Sequence, residues 1–150
     1  MAKISNTVNI ENRRAKFDYQ FLDTLTAGMV LKGTEIKSIR EGKAGLADSY
    51  CFFRNEELYV RNLHIGEYQD ASFYKHEPLR ERKLLLSRQE LNKLLKKVKD
   101  QGLTIVPTKM FISESGYAKL NIALAKGKKD FDKRDDIKKK DIERELNRKF

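Results

Sequence analysis

Two long apolar segments near the end of the chain, separated by a short turn, restrict its fold more than any other feature. Residues 103–112 (LTIVPTKMFI) and 117–125 (YAKLNIALA) are rich in branched and apolar side chains, and residues 114–116 (ESG) lie between them. Strand-forming residues on both sides of so short a linker predict an antiparallel β-hairpin. Pro107 predicts a bulge or an edge position in the first strand, because proline cannot donate a ladder hydrogen bond.

Other segments also predict strands. Residues 17–31 (FDYQFLDTLTAGMVL) begin with regular alternation, which Leu22 interrupts, and Gly28 indicates a bend or bulge, so we expect one long bent strand. Residues 49–54 (SYCFFR) and 57–61 (ELYVR) are separated by an Asn-Glu pair. This spacing predicts a second hairpin.

Two segments carry helix signals. Residues 33–42 (GTEIKSIREG) offer Thr34 as an N-cap and Gly42 as a left-handed end. Residues 87–90 (SRQE) form a capping box that predicts a longer helix ending at Gly102. Apolar side chains recur at helical spacing in both segments, at Ile36 and Ile39 in the first and at Leu91, Leu94, Leu95 and Val98 in the second.

Short strands therefore outnumber helices, and no alternation of strands with helices appears along the chain. This pattern predicts a mainly β fold, a small antiparallel barrel or sandwich with packed helices. Barrels of the oligonucleotide-binding type belong to this class and commonly bind nucleic acid.

Charge indicates the kind of partner. The 150-residue chain carries 32 Lys and Arg against 22 Asp and Glu, a formal net charge of +10, which favours a polyanion. No apolar segment approaches the roughly 20 residues that span a bilayer, and the first residues (MAKISNTVNIENRR) lack the apolar centre of a secretory signal. With Cys51 as the single cysteine, we expect a reducing, cytoplasmic location, no disulfide and no metal site.

The last 25 residues differ from the rest of the chain. Residues 126–150 open with KGKKDFDKR and contain 11 Lys and Arg, 7 Asp and Glu, and few large apolar side chains. Such a segment buries too little apolar surface to offset an ordering cost of about 1–2 kcal/mol per residue. It is typical of a tail that is disordered alone and becomes helical on a polyanion, or of a solvated helix laced with ion pairs.

Signals for catalysis are weak. His64 and His76 are the two imidazoles, and no Ser-His-Asp spacing or carboxylate pair is evident. A metal-dependent nuclease would need Asp48 together with Glu35 or Glu41, but these acids lie among many other charges and are more typical of solvated surface. We therefore expect a binding protein rather than an enzyme.

Several segments, taken in order, resemble the small protein B family, which binds transfer-messenger RNA in bacteria. The resemblance covers nearly the whole chain from about Ile10 onward. The matching segments are NRRAK (12–16), AG (27–28), KGTEIKSIREGKAGLADSY (32–50), PLRERKLLL (78–86), the tyrosine hairpin from Lys109 to Lys119, and KGKKDFDKRDDIK (126–138).

This resemblance implies an oligonucleotide-binding-type barrel with about three helices: a flexible arm at 1–11, an RNA-binding barrel at 12–125 and a basic tail at 126–150. It implies that the barrel binds the tRNA-like part of transfer-messenger RNA (SsrA) and delivers it to stalled ribosomes for trans-translation. The tail would read the empty decoding site and mRNA channel. Partners are then this RNA and the ribosome, with no cofactor, small-molecule substrate or membrane. An alternative is a ribosomal protein that binds ribosomal RNA constitutively.

The resemblance also suggests contact residues. Alternatives exist for two of them, because Leu85 in KLLL also fits a core position and Lys119 also fits a solvated strand lysine. Those implied for the barrel are Arg13, Arg14, Lys16, Phe17, Thr26, Arg82, Lys83, Leu85, Ser87 and Lys119. Those implied for the tail are Lys126, Gly127, Lys128, Lys129, Asp132, Lys133, Arg134 and Lys138, with Phe131 as a base-stacking ring.

Two of these positions depart from the family pattern. Many members have glutamate at the position of Thr26 and histidine at the position of Phe17. Threonine removes a charged hydrogen-bond acceptor, and phenylalanine can stack on a base but cannot donate a hydrogen bond.

Overall fold

The computed structural model describes residues 8–67 and 76–127 of the 150-residue chain. Strands outnumber helices among these residues. Within these residues the strands are β1 (Asn9–Glu11), β2 (Tyr19–Met29), β3 (Ala44–Gly45), β4 (Tyr50–Arg54), β5 (Glu57–Arg61), β6 (His64–Ile65), β7 (Arg82–Leu85), β8 (Thr104–Ile112) and β9 (Ala118–Gly127). The helices there are α1 (Arg13–Asp18), α2 (Gly33–Arg40) and α3 (Arg88–Gln101).

The main sheet closes into a barrel. Its strand order is β1-β8-β4-β5-β7-β2-β9, and β9 pairs back onto β8, so a ring of antiparallel strands forms. Strands β3 and β6 form a separate two-stranded sheet. The expectation of a mainly β, oligonucleotide-binding-type barrel is confirmed, and three helices lie within the described residues.

The main apolar core fills the barrel and the space beneath α2 and α3. Strand residues such as Leu58, Leu84 and Leu120 are fully buried, and they share this core with Ile39 of α2 and Leu94 of α3. The apolar stripes predicted for α2 and α3 therefore face the same interior. Within residues 8–67 and 76–127, none of the helices has the length and apolar character needed to cross a bilayer.

Local turn chemistry explains several boundaries. The β4–β5 hairpin turns at Asn55 and Glu56, both with positive φ (52° and 65°), the geometry that matches the twist of paired strands. Helix α3 begins at the predicted Ser87–Glu90 capping box and ends at Gly102, which adopts φ +62°. The predicted bulge at Pro107 is confirmed, but β8 is paired on both sides and is not an edge strand.

Helix α1 was not predicted. It begins after Asn12, whose Oδ1 accepts from the amide of Ala15 at 3.0 Å. The Nδ2 of Asn12 also donates to the carbonyls of Leu46 (3.1 Å) and Pro107 (2.8 Å), so one buried side chain caps the helix and ties it to the barrel. A helix of six residues is too short to show periodicity in the sequence.

Two local expectations are corrected. Thr34 does not cap α2, because the helix already begins at Gly33 and the Thr34 hydroxyl is bonded to His76 Nδ1 at 2.9 Å. The irregularity of β2 lies between Phe21 and Asp23, where Leu22 interrupts the alternation, and the ladder continues unbroken through Gly28. Gly28 therefore has a role other than bending the strand.

Candidate nucleic-acid interface

Three strands bring two of the predicted contact residues together on the outside of the barrel. Gly28 of β2 lies opposite Leu85 of β7 on one side and opposite Lys119 of β9 on the other. A Cβ added to Gly28 would lie 3.3 Å from Leu85 Cβ and 3.8 Å from Lys119 Nζ. Gly28 therefore leaves the space in which an apolar side chain and an ammonium group lie side by side.

Gly28, Leu85 and Lys119 line a surface depression with both apolar and polar walls, which we call the groove. Leu85 is 52% exposed, so the alternative that it belongs to the core is wrong. Tyr117 (68% exposed) and Val30 (46% exposed) add further apolar surface to the groove. Arg40 adds a second cation and donates weakly to the carbonyl of Gly116 at 3.4 Å.

Sequence reasoning did not identify Val30, Arg40 and Tyr117 as members of this site. Val30 directly follows β2 and Arg40 is the last residue of α2, and only the tertiary fold brings both to the groove. Tyr117 gives a detectable signal, because a tyrosine directly after a turn glycine stands at the exposed tip of a hairpin.

Ser87 follows Leu85 by two residues in the chain and already has intramolecular bonds. Its hydroxyl accepts from the amide of Glu90 at 3.2 Å, and its own amide donates to Glu90 Oε1 at 3.0 Å. The side chain is exposed, and a hydroxyl that accepts one bond retains its proton for donation. Ser87 can therefore start α3 and still donate to an RNA oxygen.

Lys83 and Arg82 point to opposite faces of β7. Lys83 is partly exposed, with its Nζ 3.9 Å from Glu57. Arg82 is fully buried, so its predicted contact with RNA is wrong for the folded barrel. Its Nε donates to Glu35 Oε2 at 2.5 Å, and its Nη1 donates to the carbonyl of Leu63 at 2.6 Å.

Glu35 is the centre of this buried network. Its other oxygen, Oε1, accepts from Arg80 Nη2 at 2.5 Å and from the amide of Lys32 at 2.8 Å. Burial alone would raise the pKa of Glu35, but the bonds from Arg80 and Lys32 and the charge of Arg82 outweigh it and hold the pKa below its ordinary value. Because both oxygens are occupied, Glu35 is not a free ligand for the hypothetical nuclease metal.

The imidazoles also have structural partners. His76 is buried, its Nε2 donates to the carbonyl of Ile65 at 2.9 Å, and its Nδ1 is bonded to Thr34. Together with Arg82, which also donates to the carbonyls of Glu77 and Pro78, it fixes the segment that enters β7. Arg80, which is bonded to Glu35, brings this network to the surface, since its side chain is 29% exposed.

A second group of predicted residues lies at the other end of the β2–β9 ladder. Tyr19 pairs with Gly127 and Gln20 with Lys126, so α1 stands beside the point where β9 ends. The distance along β2 from Tyr19 to Gly28 is about 30 Å at roughly 3.3 Å per residue. The cations of α1 (Arg13, Arg14 and Lys16) are exposed, and Phe17 is half-buried.

Two of the predicted residues, Arg14 and Thr26, already have hydrogen-bond partners within the protein. Arg14 Nε is 2.9 Å from Asp18 Oδ2, and this hydrogen bond raises the pKa of Arg14. Thr26, two residues from Gly28 along β2, donates to Asn121 Oδ1 at 2.8 Å. Thr26 is exposed, so its neutral side chain contributes to the outer surface between the two ends of the ladder.

Comparison with known proteins identifies the family. The model of the SmpB protein family matches residues 9–150. The chain belongs to the SmpB family. The SsrA-binding protein of Phocaeicola vulgatus is 58% identical over 143 residues, covering 95% of each chain, and that of Enterococcus faecalis is 47% identical over 148 residues, covering 99% and 96%.

A solved structure adds a spatial match. A chain from a study of tmRNA–SmpB at the centre of the bacterial ribosome superposes with a TM-score of 0.70 at 48% identity, covering 83% of this chain and 87% of the other. Barrel and topology thus agree with the SmpB family.

Of the predicted tail residues, Lys126 and Gly127 end β9 and are exposed. The others lie outside the described residues: Lys128, Lys129, Asp132, Lys133, Arg134 and Lys138, with Phe131.

Proposed function

We propose that this protein binds the tRNA-like part of transfer-messenger RNA and delivers it to stalled ribosomes for trans-translation. The observation that carries the proposal is the adjacency of Leu85, Gly28 and Lys119 in one exposed groove on a nucleic-acid-binding type of barrel. The relatives named SsrA-binding proteins and the tmRNA–SmpB structure support the same partner and the ribosome.

The chemistry of the groove suits a folded RNA with unstacked bases. Lys119 Nζ offers a cation to a phosphate, and the missing side chain of Gly28 lets a ribose or base edge approach the sheet. The exposed apolar surfaces of Leu85 and Tyr117 pack against bases that an RNA loop turns outward. Recognition then depends on the shape of the RNA more than on its total charge.

We assign the ribosomal contacts to the other end of the β2–β9 ladder. Lys126 and Gly127 lead into the tail beside the exposed cations of α1. Because this end is about 30 Å of strand away from the groove, one barrel can hold RNA at one end and contact the decoding site at the other. The tail from residue 128 onward would follow the empty mRNA channel.

The proposed role is that of an adaptor without catalysis, acting in the cytoplasm. The SmpB family is an RNA-binding family, and the buried Glu35 and His76 are bonded to protein partners. The competing function, a constitutive ribosomal protein, predicts binding to all ribosomes, whereas an adaptor associates with those that have stalled.

A competition experiment tests the partner. Labelled transfer-messenger RNA titrated with the full chain at about 0.15 M salt should show nanomolar binding that survives excess unlabelled bulk tRNA, because the groove reads shape and phosphate contacts are partly screened. If about five phosphates are neutralised, the log–log salt slope is near −4. Binding that collapses under competitor would contradict the proposal and favour the ribosomal-protein alternative.

A pair of substitutions tests the groove. Leu85→Asp with Lys119→Ala should weaken binding of transfer-messenger RNA by about 100-fold, since an apolar contact and a phosphate contact are each worth roughly 1.4 kcal/mol or more. Leu79→Asp with Lys93→Ala makes the same chemical changes at exposed side chains outside the groove (Leu79 is 51% exposed, against 52% for Leu85, and Lys93 is 66% exposed), and should leave affinity within about twofold. Equal weakening in both pairs, with native circular dichroism, would exclude the groove as the site.

A further inference from the structure

The outer face of the β4–β5 hairpin carries aromatic rings where a sheet surface is usually polar. The cross-strand pairs are Tyr50 with Arg61, Phe52 with Tyr59, and Arg54 with Glu57. Phe52 and Tyr59 stack at 5.9 Å between ring centroids and 26° between planes, and Tyr50 lies 6.3 Å from Phe52. Alternate residues of the same strands face the core, so these rings are directed outward by the pleat.

Two arginines lie over these rings. Arg61 Cζ is 4.6 Å from the centroid of Phe52, and Arg54 Cζ is 5.2 Å from the centroids of both Phe52 and Tyr59. Glu81 bridges the two guanidinium groups, at 2.9 Å from Arg54 and 2.5 Å from Arg61. The arginine side chains are still 48% and 43% exposed, so they are held in position without being covered.

We call Tyr50, Phe52, Arg54, Tyr59 and Arg61 the aromatic–arginine face. It is continuous with the groove, because Tyr59 lies opposite Lys83, and Lys83 shares the outer side of β7 with Leu85. Leu85 in turn lies opposite Gly28. The outer surface of the barrel thus runs without interruption from Lys119, across Gly28 and Leu85, to these rings.

The charges around this face favour RNA over a protein partner. Four cations surround the rings, and two carboxylates lie among them; the cations are Arg54, Arg61, Lys83 and Arg88, and the carboxylates are Glu57 and Glu81. Each carboxylate bridges two of these cations, which orients them. Aromatic and guanidinium planes held beside partly exposed cations are the surface on which single-stranded nucleotides stack.

We infer that the aromatic–arginine face binds unpaired nucleotides of the same RNA molecule that occupies the groove. Bases stack on the planes formed by Phe52, Tyr59 and the guanidinium groups, and the exposed cations contact the adjoining phosphates. The inference rests on the proposed function, because continuity with the groove is what selects the RNA. It extends the RNA-binding surface onto β4 and β5, strands that the sequence resemblance does not assign to RNA.

Substitution separates stacking from charge. Phe52→Leu with Tyr59→Leu keeps apolar cover but removes both rings, and should weaken binding of transfer-messenger RNA about tenfold with an unchanged salt slope. Arg54→Ala should weaken binding and also reduce the slope by about one. Lys93→Ala on α3, 66% exposed and outside this surface, is the control and should change affinity by less than twofold. Unchanged affinity in the ring variant, with native circular dichroism, would overturn the inference.

The unmodified protein provides a second test that does not depend on folding of a variant. Hydroxyl-radical oxidation of the full chain, read by mass spectrometry, should fall at Phe52 and Tyr59 when transfer-messenger RNA is added. It should also fall at Tyr117 in the groove, and stay constant at Leu22, which is 48% exposed on β2. Protection of Tyr117 without protection of Phe52 and Tyr59 would overturn the inference and keep the proposed function, whereas protection of none of the three would overturn both.

Discussion

Replacing Glu35 by glutamine should lower the free energy of unfolding by about 3–5 kcal/mol. The reason is that Arg82, fully buried, would lose its counter-charge, and an unpaired buried charge is among the most destabilising changes in a protein. For a domain of this size the melting temperature should fall by about 10–20 °C. Thermal and urea unfolding followed by circular dichroism measure this loss.

A surface pair provides the matched control. Glu57 also bridges two cations, Lys83 and Arg88, but its side chain is 27% exposed. Glu57→Gln should therefore cost no more than about 1 kcal/mol. Replacing both buried partners, Glu35→Leu with Arg82→Met, should recover part of the loss because no uncompensated charge is left in the interior. Equal effects of Glu35→Gln and Glu57→Gln would contradict a stabilising role for the buried pair.

The dependence of the free energy of unfolding on pH has a definite sign. Because the pKa of Glu35 lies below its ordinary value of 4.5 in the folded barrel, ionised Glu35 stabilises the fold above that value. This contribution is lost as the pH falls through the lowered pKa. The acid side of the stability curve should therefore be shallower in Glu35→Gln than in the unmodified protein.

Removing residues 131–150 should abolish tagging of nascent chains on stalled ribosomes while leaving the affinity for transfer-messenger RNA within a few-fold. The physical reason is spatial, since the groove and the end of β9 lie at opposite ends of one ladder. A reconstituted trans-translation reaction measures tagging, and a gel shift measures RNA binding.

The groove variant is the natural counterpart of this truncation. Leu85→Asp with Lys119→Ala should lose RNA binding first, and its tagging should recover when the RNA concentration is raised, whereas the truncated chain should not recover. A loss of RNA affinity by more than about tenfold on truncation would show that the tail helps to hold the RNA, and the division between the two ends would be wrong.

The barrel was largely predictable because its strongest local signals agree with its tertiary packing. The 103–125 hairpin, the capping box at Ser87 and the left-handed Gly102 each fix a boundary by local chemistry, and each is present in the structure. Helix α1 was missed because its start depends on Asn12, whose second set of bonds joins Leu46 and Pro107, both far away in the sequence.

Arg82 shows the limit of reading a site from sequence. Cations at 80, 82 and 83 look equivalent in RERK, and only the alternation of β7 turns 82 inward and 83 outward. The carboxylate that accepts Arg82 comes from α2, 47 residues earlier in the chain. A pairing over that separation leaves no local pattern.

The β2–β9 ladder also sets the distance between the groove and the start of the tail. Antiparallel pairing joins Tyr19 to Gly127 at one end and Gly28 to Lys119 at the other, so these two ends cannot slide or swing independently. The backbone of these two paired strands, rather than a flexible joint, therefore determines the distance between the groove and the start of the tail. Two residues inserted in each strand would increase this distance by about 7 Å and would keep the same side chains facing outward.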